Sequence, residues 1–160
     1  VEDSTTLAYR LEELDNFDYV VIDTSPTPSA NNAMVFLATT GIIMPTTCET
    51  FGMVGLGQTA GTMRRINKQL TRMGADPLRL LGVQSTLFDG RRNEHNDGFD
   101  NIANHFGNYA WPPITARTAW TEASRHQVSI FNYAPSHFAA QDAWMFIASV
   151  KETLGVTAHA

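Results

Sequence analysis

Short apolar runs alternate along this chain with longer stretches in which apolar residues recur every three or four positions. That alternation predicts β-α units feeding a mostly parallel sheet, an α/β fold with helices on both faces. Three runs are apolar throughout instead of alternating, as strands covered on both faces must be. They are Tyr19-Val20-Val21-Ile22, ending in Asp23; Gly41-Ile42-Ile43-Met44, ending at Pro45; and Leu80-Leu81-Gly82-Val83, continuing through Gln84 to Thr86. A fourth run, Tyr109 to Ile114, is interrupted by Pro112 and Pro113 and suits only an edge or a strand end, because proline cannot donate to a ladder.

Helices are predicted over Thr5 to Leu14 with Ser4 as candidate cap, Asn31 to Thr39, Gly52 to Met73, Asn96 to Phe106, Arg117 to His126 and Phe138 to Leu154. In the longest, Met53, Leu56, Ala60, Met63, Ile66, Leu70 and Met73 form a stripe at helical spacing that predicts a core face. Opposite it lie Arg64, Arg65, Lys68 and Arg72, which read either as a solvated face or as a place for phosphate contacts. In the last helix Ala139, Ala143, Ile147, Val150 and Leu154 are in register. No internal repeat or interdomain linker divides the chain, so one domain, or part of one, is the simplest organisation.

Bulk properties narrow this picture without redirecting it. A chain of 160 residues is of single-domain size and, if globular, buries roughly 68 to 70% of its unfolded surface. Hydrophobic content of 43% and charged content of 17% are those of an ordinary soluble protein. No apolar run is long enough to span a bilayer and no signal segment opens the chain, so a cytoplasmic location is expected. The net charge of -5 gives no global attraction to nucleic acid, so any DNA contact must come from a local patch. The single cysteine, Cys48, excludes an intramolecular disulfide and reads as a buried structural thiol. The first residue is Val1, which leaves room for a start further upstream.

The candidate chemistry centres on Asp23. A carboxylate at the carboxyl end of a parallel strand faces the crevice where open α/β sheets bind ligands. Followed by Thr24-Ser25-Pro26, it reads either as a carboxylate holding a metal-bound water beside a phosphate or as an Asp that starts the next turn. His95, Asp97 and Asp100 are close in sequence, but Asn93 to Asp97 reads as a polar loop more readily than as a metal site. His105, His126 and His137 have no matched acid or nucleophile and read as surface or capping residues, and Trp111, Trp120 and Trp144 as core or interface residues.

Four segments in order carry a family resemblance. Phe17-Asp18-Tyr19-Val20-Val21-Ile22-Asp23-Thr24-Ser25-Pro26 resembles the Walker B segment of ParA-type ATPases. Met44-Pro45-Thr46-Thr47-Cys48-Glu49-Thr50-Phe51 with Gly55-Leu56, then Leu81 to Arg91, then Ala116 to Ala123, are similar to three further segments of that family. The resemblance implies a partial P-loop NTPase-like three-layer sandwich, the C-terminal portion of a nucleotide-binding domain of the ParA, Soj and MinD type. It also implies a cytoplasmic, nucleoid-associated ATPase of plasmid or chromosome partitioning that binds ATP and Mg²⁺, forms a homodimer, coats nonspecific DNA and answers to a ParB-type centromere-binding protein.

Carried onto this sequence, the resemblance makes Asp23 the Walker B carboxylate acting on Mg²⁺ through water and Pro26 part of the loop that follows. Thr86 and Asp89 would stand on the base side of the nucleotide, Thr115 and Arg117 along the base or ribose, and Arg64, Arg65, Lys68 and Arg72 against DNA. The family's lysine-rich glycine loop is nowhere in these 160 residues; its backbone amides and lysines supply most of the phosphate-binding energy, so this chain alone is expected to be inactive. Ser25 and Thr115-Ala116 also depart from the family pattern. Without the loop-bearing strand, Tyr19 to Ile22 is expected to be an exposed apolar edge, making the chain a fragment of a longer protein or dependent on a partner. The C-terminal stretch lacks the basic amphipathic pattern of a membrane-targeting helix, which argues against the cell-division member MinD.

Overall fold

The computed structural model describes residues 6–25 and 30–156. The site candidate Pro26 and the candidate cap Ser4 lie outside the described residues. Seven helices and three strands follow in the order α1 (Thr6–Glu12), α2 (Ala30–Ala38), β1 (Gly41–Thr46), α3 (Thr50–Arg72), β2 (Arg79–Ser85), α4 (Asn93–Phe106), β3 (Ala110–Trp111), α5 (Thr118–Arg125), α6 (Ile130–Tyr133) and α7 (Phe138–Leu154) among the described residues. The strands form a three-stranded parallel sheet of order β1-β2-β3. The chain divides into two compact units, one of residues 1–42 and 60–79, the other of 43–59 and 80–160.

In the first unit, Ile66 of α3 and Leu78 ahead of β2 are buried. Asn67 fixes the return of the chain from α3: its Nδ2 donates to the Leu78 carbonyl at 3.0 Å and its Oδ1 accepts the Leu78 N–H at 2.9 Å. Both backbone groups of Leu78 would otherwise be buried without partners. Met73, predicted on the core stripe, lies past the last helical residue and is 75% exposed; the stripe stops where the helix stops.

The predicted strand Tyr19–Ile22 is not formed. Residues 19–25 belong to no helix or strand, and Tyr19, Val20 and Val21 are exposed, Val21 to 94%. A strand exists only through its ladder, and among the described residues nothing pairs with this one. The expected exposure is therefore present, with the backbone released as well.

The second unit holds the better-formed core. Leu81 to Ser85 are buried without interruption, which is what a central strand requires. β2 pairs in parallel with β3 in the register Val83↔Ala110 and Gln84↔Trp111. The predicted fourth strand is short because Pro112 and Pro113 have no N–H to donate. Pairing resumes beyond them, where Ile114 N–H donates to Ser85 O at 2.8 Å and Phe88 N–H to Ile114 O at 3.0 Å. Gly82 is required by packing: a Cβ there would run into the Trp111 indole, whose ring meets Phe146 edge-on at 5.8 Å. A second buried cluster joins α5, α6 and α7 through Ala119, Ala123, Ile130, Ala139 and Ala140. The small side chains let these helices approach closely.

Two helical expectations change. Helix α4 begins at Asn93, not Asn96, so the supposed polar loop Asn93 to Asp97 is its first turns. Helix α6 was not anticipated; Ser129 caps it by accepting the Asn132 N–H. His137 does cap α7, its Nδ1 accepting the Ala139 N–H at 3.1 Å. His126 stacks on Tyr133 at the end of α5.

Candidate functional site

The predicted residues fall in both units. In the first, Asp23, Thr24 and Ser25 are exposed, and the Asp23 carboxylate has no hydrogen bond or ion pair among the described residues. It follows an apolar run that forms no ladder among the described residues. Arg64, Arg65, Lys68 and Arg72 are all exposed on α3. Arg64 Nε donates to the Ala60 carbonyl at 3.3 Å and Arg65 Nη2 to Thr62 Oγ1 at 2.8 Å, both within the helix. Among the described residues none of the four pairs with a carboxylate, so their charge is uncompensated locally.

In the second unit, Thr86 and Asp89 lie in the connection from β2 to α4. The Thr86 hydroxyl donates to the Thr46 carbonyl at 3.1 Å, and its backbone N–H to the same oxygen at 2.8 Å. Thr86 thus ties the carboxyl ends of β1 and β2 together. Asp89 accepts from Arg91 twice through the guanidinium, at 2.9 and 2.8 Å, and once through the backbone N–H at 3.1 Å. Those bonds to Arg91 hold its carboxyl well below the usual carboxylate range. Arg91 itself is open to solvent.

Next to it lies a network that sequence reading passed over. Arg92 Nη1 pairs with Glu49 Oε1 at 2.7 Å, and its Nη2 with Glu94 Oε2 at 3.1 Å. Glu94 Oε1 accepts the Thr50 N–H that opens α3, at 3.4 Å. His95, only 3% exposed, accepts the Asp89 N–H on Nδ1 at 3.0 Å and meets Glu49 Oε1 through Nε2 at 3.3 Å. The hydrogen bond from Arg92, then that from His95, lowers the Glu49 carboxyl below its ordinary value. A signal for His95 was present: it is in phase with Phe99, Ile102 and Phe106, so its ring belongs to the inward face of α4.

Thr115 and Arg117 are brought together by Asp142 of α7. Asp142 is buried and accepts the Thr115 N–H on Oδ2 at 3.1 Å. Arg117 Nε stands 3.5 Å from the same oxygen, an ion pair without a well-aligned hydrogen bond. The guanidinium carbon also lies 5.3 Å from the centre of the Phe138 ring. Trp120 Nε1 donates to the Thr115 carbonyl at 3.1 Å, so both backbone groups of Thr115 are committed.

Cys48 is 2% exposed, and burial pushes its thiol up, with the neighbouring Ser85 hydroxyl pulling slightly the other way. That suits a packed thiol and not a nucleophile. Trp111 is a core residue, while Trp144 is 58% exposed and meets Phe131 at a tilt of 45°, with ring centres 4.6 Å apart. No group of three or more metal-ligating side chains occurs among the described residues; His95, Asp97 and Asp100 do not converge. A cavity of about 510 Å³ opens beside β3 and the end of α7, lined by Leu81, Tyr109, Trp111, Ser149 and Glu152 among others, and holds none of the predicted site residues. No described helix is long and apolar enough to cross a membrane.

Comparison with known proteins places this geometry. The AAA_31 family, described as an AAA domain, matches residues 2–73. The chromosome-partitioning ATPase Soj of Thermus thermophilus is 27% identical over 124 residues, covering 76% of this chain and 48% of that protein. Among solved structures, McdA of Cyanothece in complex with ATP superimposes with a TM-score of 0.78 at 20% identity, over 98% of this chain and 59% of that one. The septum site-determining protein MinD of Pyrococcus horikoshii, complexed with Mg-ADP, gives 0.73 at 16% identity, over 99% and 60%. Of these two structures, the first holds ATP and the second Mg-ADP. The chain spans from 34 to 49% of the length of curated ParA and Soj relatives it matches. By sequence and by fold, the chain is similar to ParA, Soj and MinD proteins and covers part of their fold.

Proposed function

We propose that these 160 residues are the C-terminal part of an ATPase of plasmid or chromosome partitioning, in which Asp23 is the magnesium-side carboxylate. The observation that carries this is the apolar run Tyr19 to Ile22 delivering an uncommitted carboxylate, followed by three further family segments in order. In the whole protein a phosphate loop on the neighbouring strand completes the sheet beside residues 19–22 and supplies the amides and lysines that hold ATP. Asp23 would hold Mg²⁺ there through water, with Pro26 part of the segment that follows. Asp89 and Thr86 from one connection, and Thr115 and Arg117 from another, flank the base and ribose. Nucleotide-dependent homodimerisation, nonspecific DNA and a ParB-type partner complete the reading, with the protein cytoplasmic and on the nucleoid. The 160 residues alone do not turn over ATP.

Reading the gene upstream of Val1 tests the first step: an in-frame glycine-lysine loop within roughly one βαβ unit is expected. In a protein that carries it, Asp23→Ala lowers hydrolysis by about two orders of magnitude or more, because the metal loses its position. Unchanged DNA-stimulated turnover removes Asp23 from that role.

A second reading is a noncatalytic module that binds DNA or a protein partner. The observation in its favour is the exposed face of Arg64, Arg65, Lys68 and Arg72, which meets no carboxylate among the described residues. Combined Arg64→Ala, Lys68→Ala and Arg72→Ala should weaken DNA retention and flatten its dependence on salt by about two to three units of slope. A binding curve and salt slope that both stay in place leave this face merely solvated.

A further inference from the structure

The geometry points to His95 as a positioning residue that locks the Asp89 connection in place through its neutral, Nε2-protonated ring. In its functional sense this rests on the nucleotide reading above, in which Asp89 stands on the base side. Nδ1 accepts the Asp89 N–H at 3.0 Å and so carries no proton; the single ring proton sits on Nε2, 3.3 Å from Glu49 Oε1. One buried ring therefore joins the connections that leave β1 and β2 on the ligand side of the sheet.

The connection it holds needs holding. Leu87 adopts a φ of 53°, in the left-handed region that side chains other than glycine, Asn and Asp rarely enter. Such a conformation persists only where its surroundings over-determine it. Here Phe88 donates its N–H to the Ile114 carbonyl at 3.0 Å and accepts the Ala116 N–H at 2.9 Å, and the Asp89 amide is held by His95. The Phe88 ring packs between His95 and Phe99, at 6.0 and 5.8 Å.

Because the lock needs a bare Nδ1, a proton undoes it. An imidazolium would turn an N–H toward the Asp89 N–H, donor against donor. The charged groups around the ring are Glu49 from the β1–α3 connection, Asp89 and Arg91 from the connection itself, and Arg92 and Glu94 at the start of α4. Arg92 pairs with Glu49 at 2.7 Å.

Amide exchange of Asp89 in the ¹⁵N-labelled 160-residue chain tests the lock, with the His95 ring signals followed in the same samples. Corrected for intrinsic pH dependence, wild-type exchange should rise roughly five- to tenfold along the ring's own titration, the worth of one hydrogen bond. His95→Asn places an acceptor where Nδ1 stood but cannot titrate, so Asp89 should stay protected with no pH step. His95→Gln keeps only the reach toward Glu49, so exchange should be fast at every pH. A step that persists in His95→Asn, or equal exchange in the two variants, overturns the proposal; should His95→Gln fail to fold, the first criterion decides. In a longer polypeptide carrying the phosphate loop, His95→Gln should weaken ATP·Mg²⁺ binding about fivefold or more relative to His95→Asn. Equal affinity ends the functional half of the proposal. A wild type that binds no ATP ends the nucleotide reading and leaves the amide result standing.

Discussion

Tyr19 to Ile22 and Leu80 to Val83 are both four-residue apolar runs, yet only the second is a strand. β2 has β1 on one side and β3 on the other, and its central residues are buried. The other run has no partner among the described residues, and its Val21 is 94% exposed. Composition does not separate the two; the ladder does. An apolar run supplies side chains for a core, but its backbone becomes a strand only when neighbours accept and donate along both edges. The run that precedes Asp23 is thus the one left without a ladder among the described residues.

The second unit makes its polar ties internally, and the sharpest test of that is Asp142→Ala. Removing a carboxylate that accepts the Thr115 N–H and neutralises Arg117 leaves both without their partner. A loss of about 3 kcal/mol is expected, the low end for a broken buried pair because Arg117 is partly exposed. Urea unfolding followed by tryptophan fluorescence measures it, and a cost below about 1 kcal/mol would mean that water replaces Asp142 freely.

Val83→Ala and Val21→Ala place the comparison on one substitution. Val83 is 0% exposed, so its truncation should cost about 2 to 3 kcal/mol in transfer and cavity terms. Val21→Ala in the same chain should stay within about 0.5 kcal/mol, as exposed positions do. In a longer polypeptide carrying the proposed phosphate-loop strand, the Val21 cost should rise to about 1.5 kcal/mol or more, because the side chain is then buried. Equal costs in the 160-residue chain would show that residues 19–22 find a partner in solution.

How much of this was legible beforehand follows from the same distinction. The runs of β1 and β2, the length of α3 and the span of α7 could be read because periodicity reports burial directly. The strand at Tyr19 to Ile22 was misplaced because periodicity says nothing about whether a ladder partner is present. The candidates Asp23, Thr86, Asp89, Thr115 and Arg117 could be named one by one, but not what they touch. Glu49 with Arg92 is separated by 43 residues, and Thr115 with Asp142 by 27; such pairings are made by topology and leave no mark at short range. His95 was hidden by its polar neighbours, Glu94, Asn96 and Asp97, which face outward while it turns in.

The smallest effect sought is electrostatic and distinguishes the units by their response to acid. Arg92 holds the Glu49 carboxyl below its ordinary value, so in the folded chain Glu49 stays charged to lower pH than in the unfolded one. A carboxyl depressed in this way contributes stability that is present above its unfolded value, about 4.3, and is lost as pH falls below it. Arg92→Ala removes the leading cause of the depression and should flatten the acid limb of the second unit's stability profile in that window, lowering stability modestly at neutral pH and leaving it nearly unchanged near pH 3. Both partners are solvent-exposed, so the change is modest and shrinks further at high salt. Midpoints of urea unfolding taken between pH 3 and 6, with and without salt, read it as a shift in slope. An acid limb identical to wild type at low salt would mean that the Arg92–Glu49 pair is not maintained in solution, and with it the anchor that keeps Glu49 beside His95.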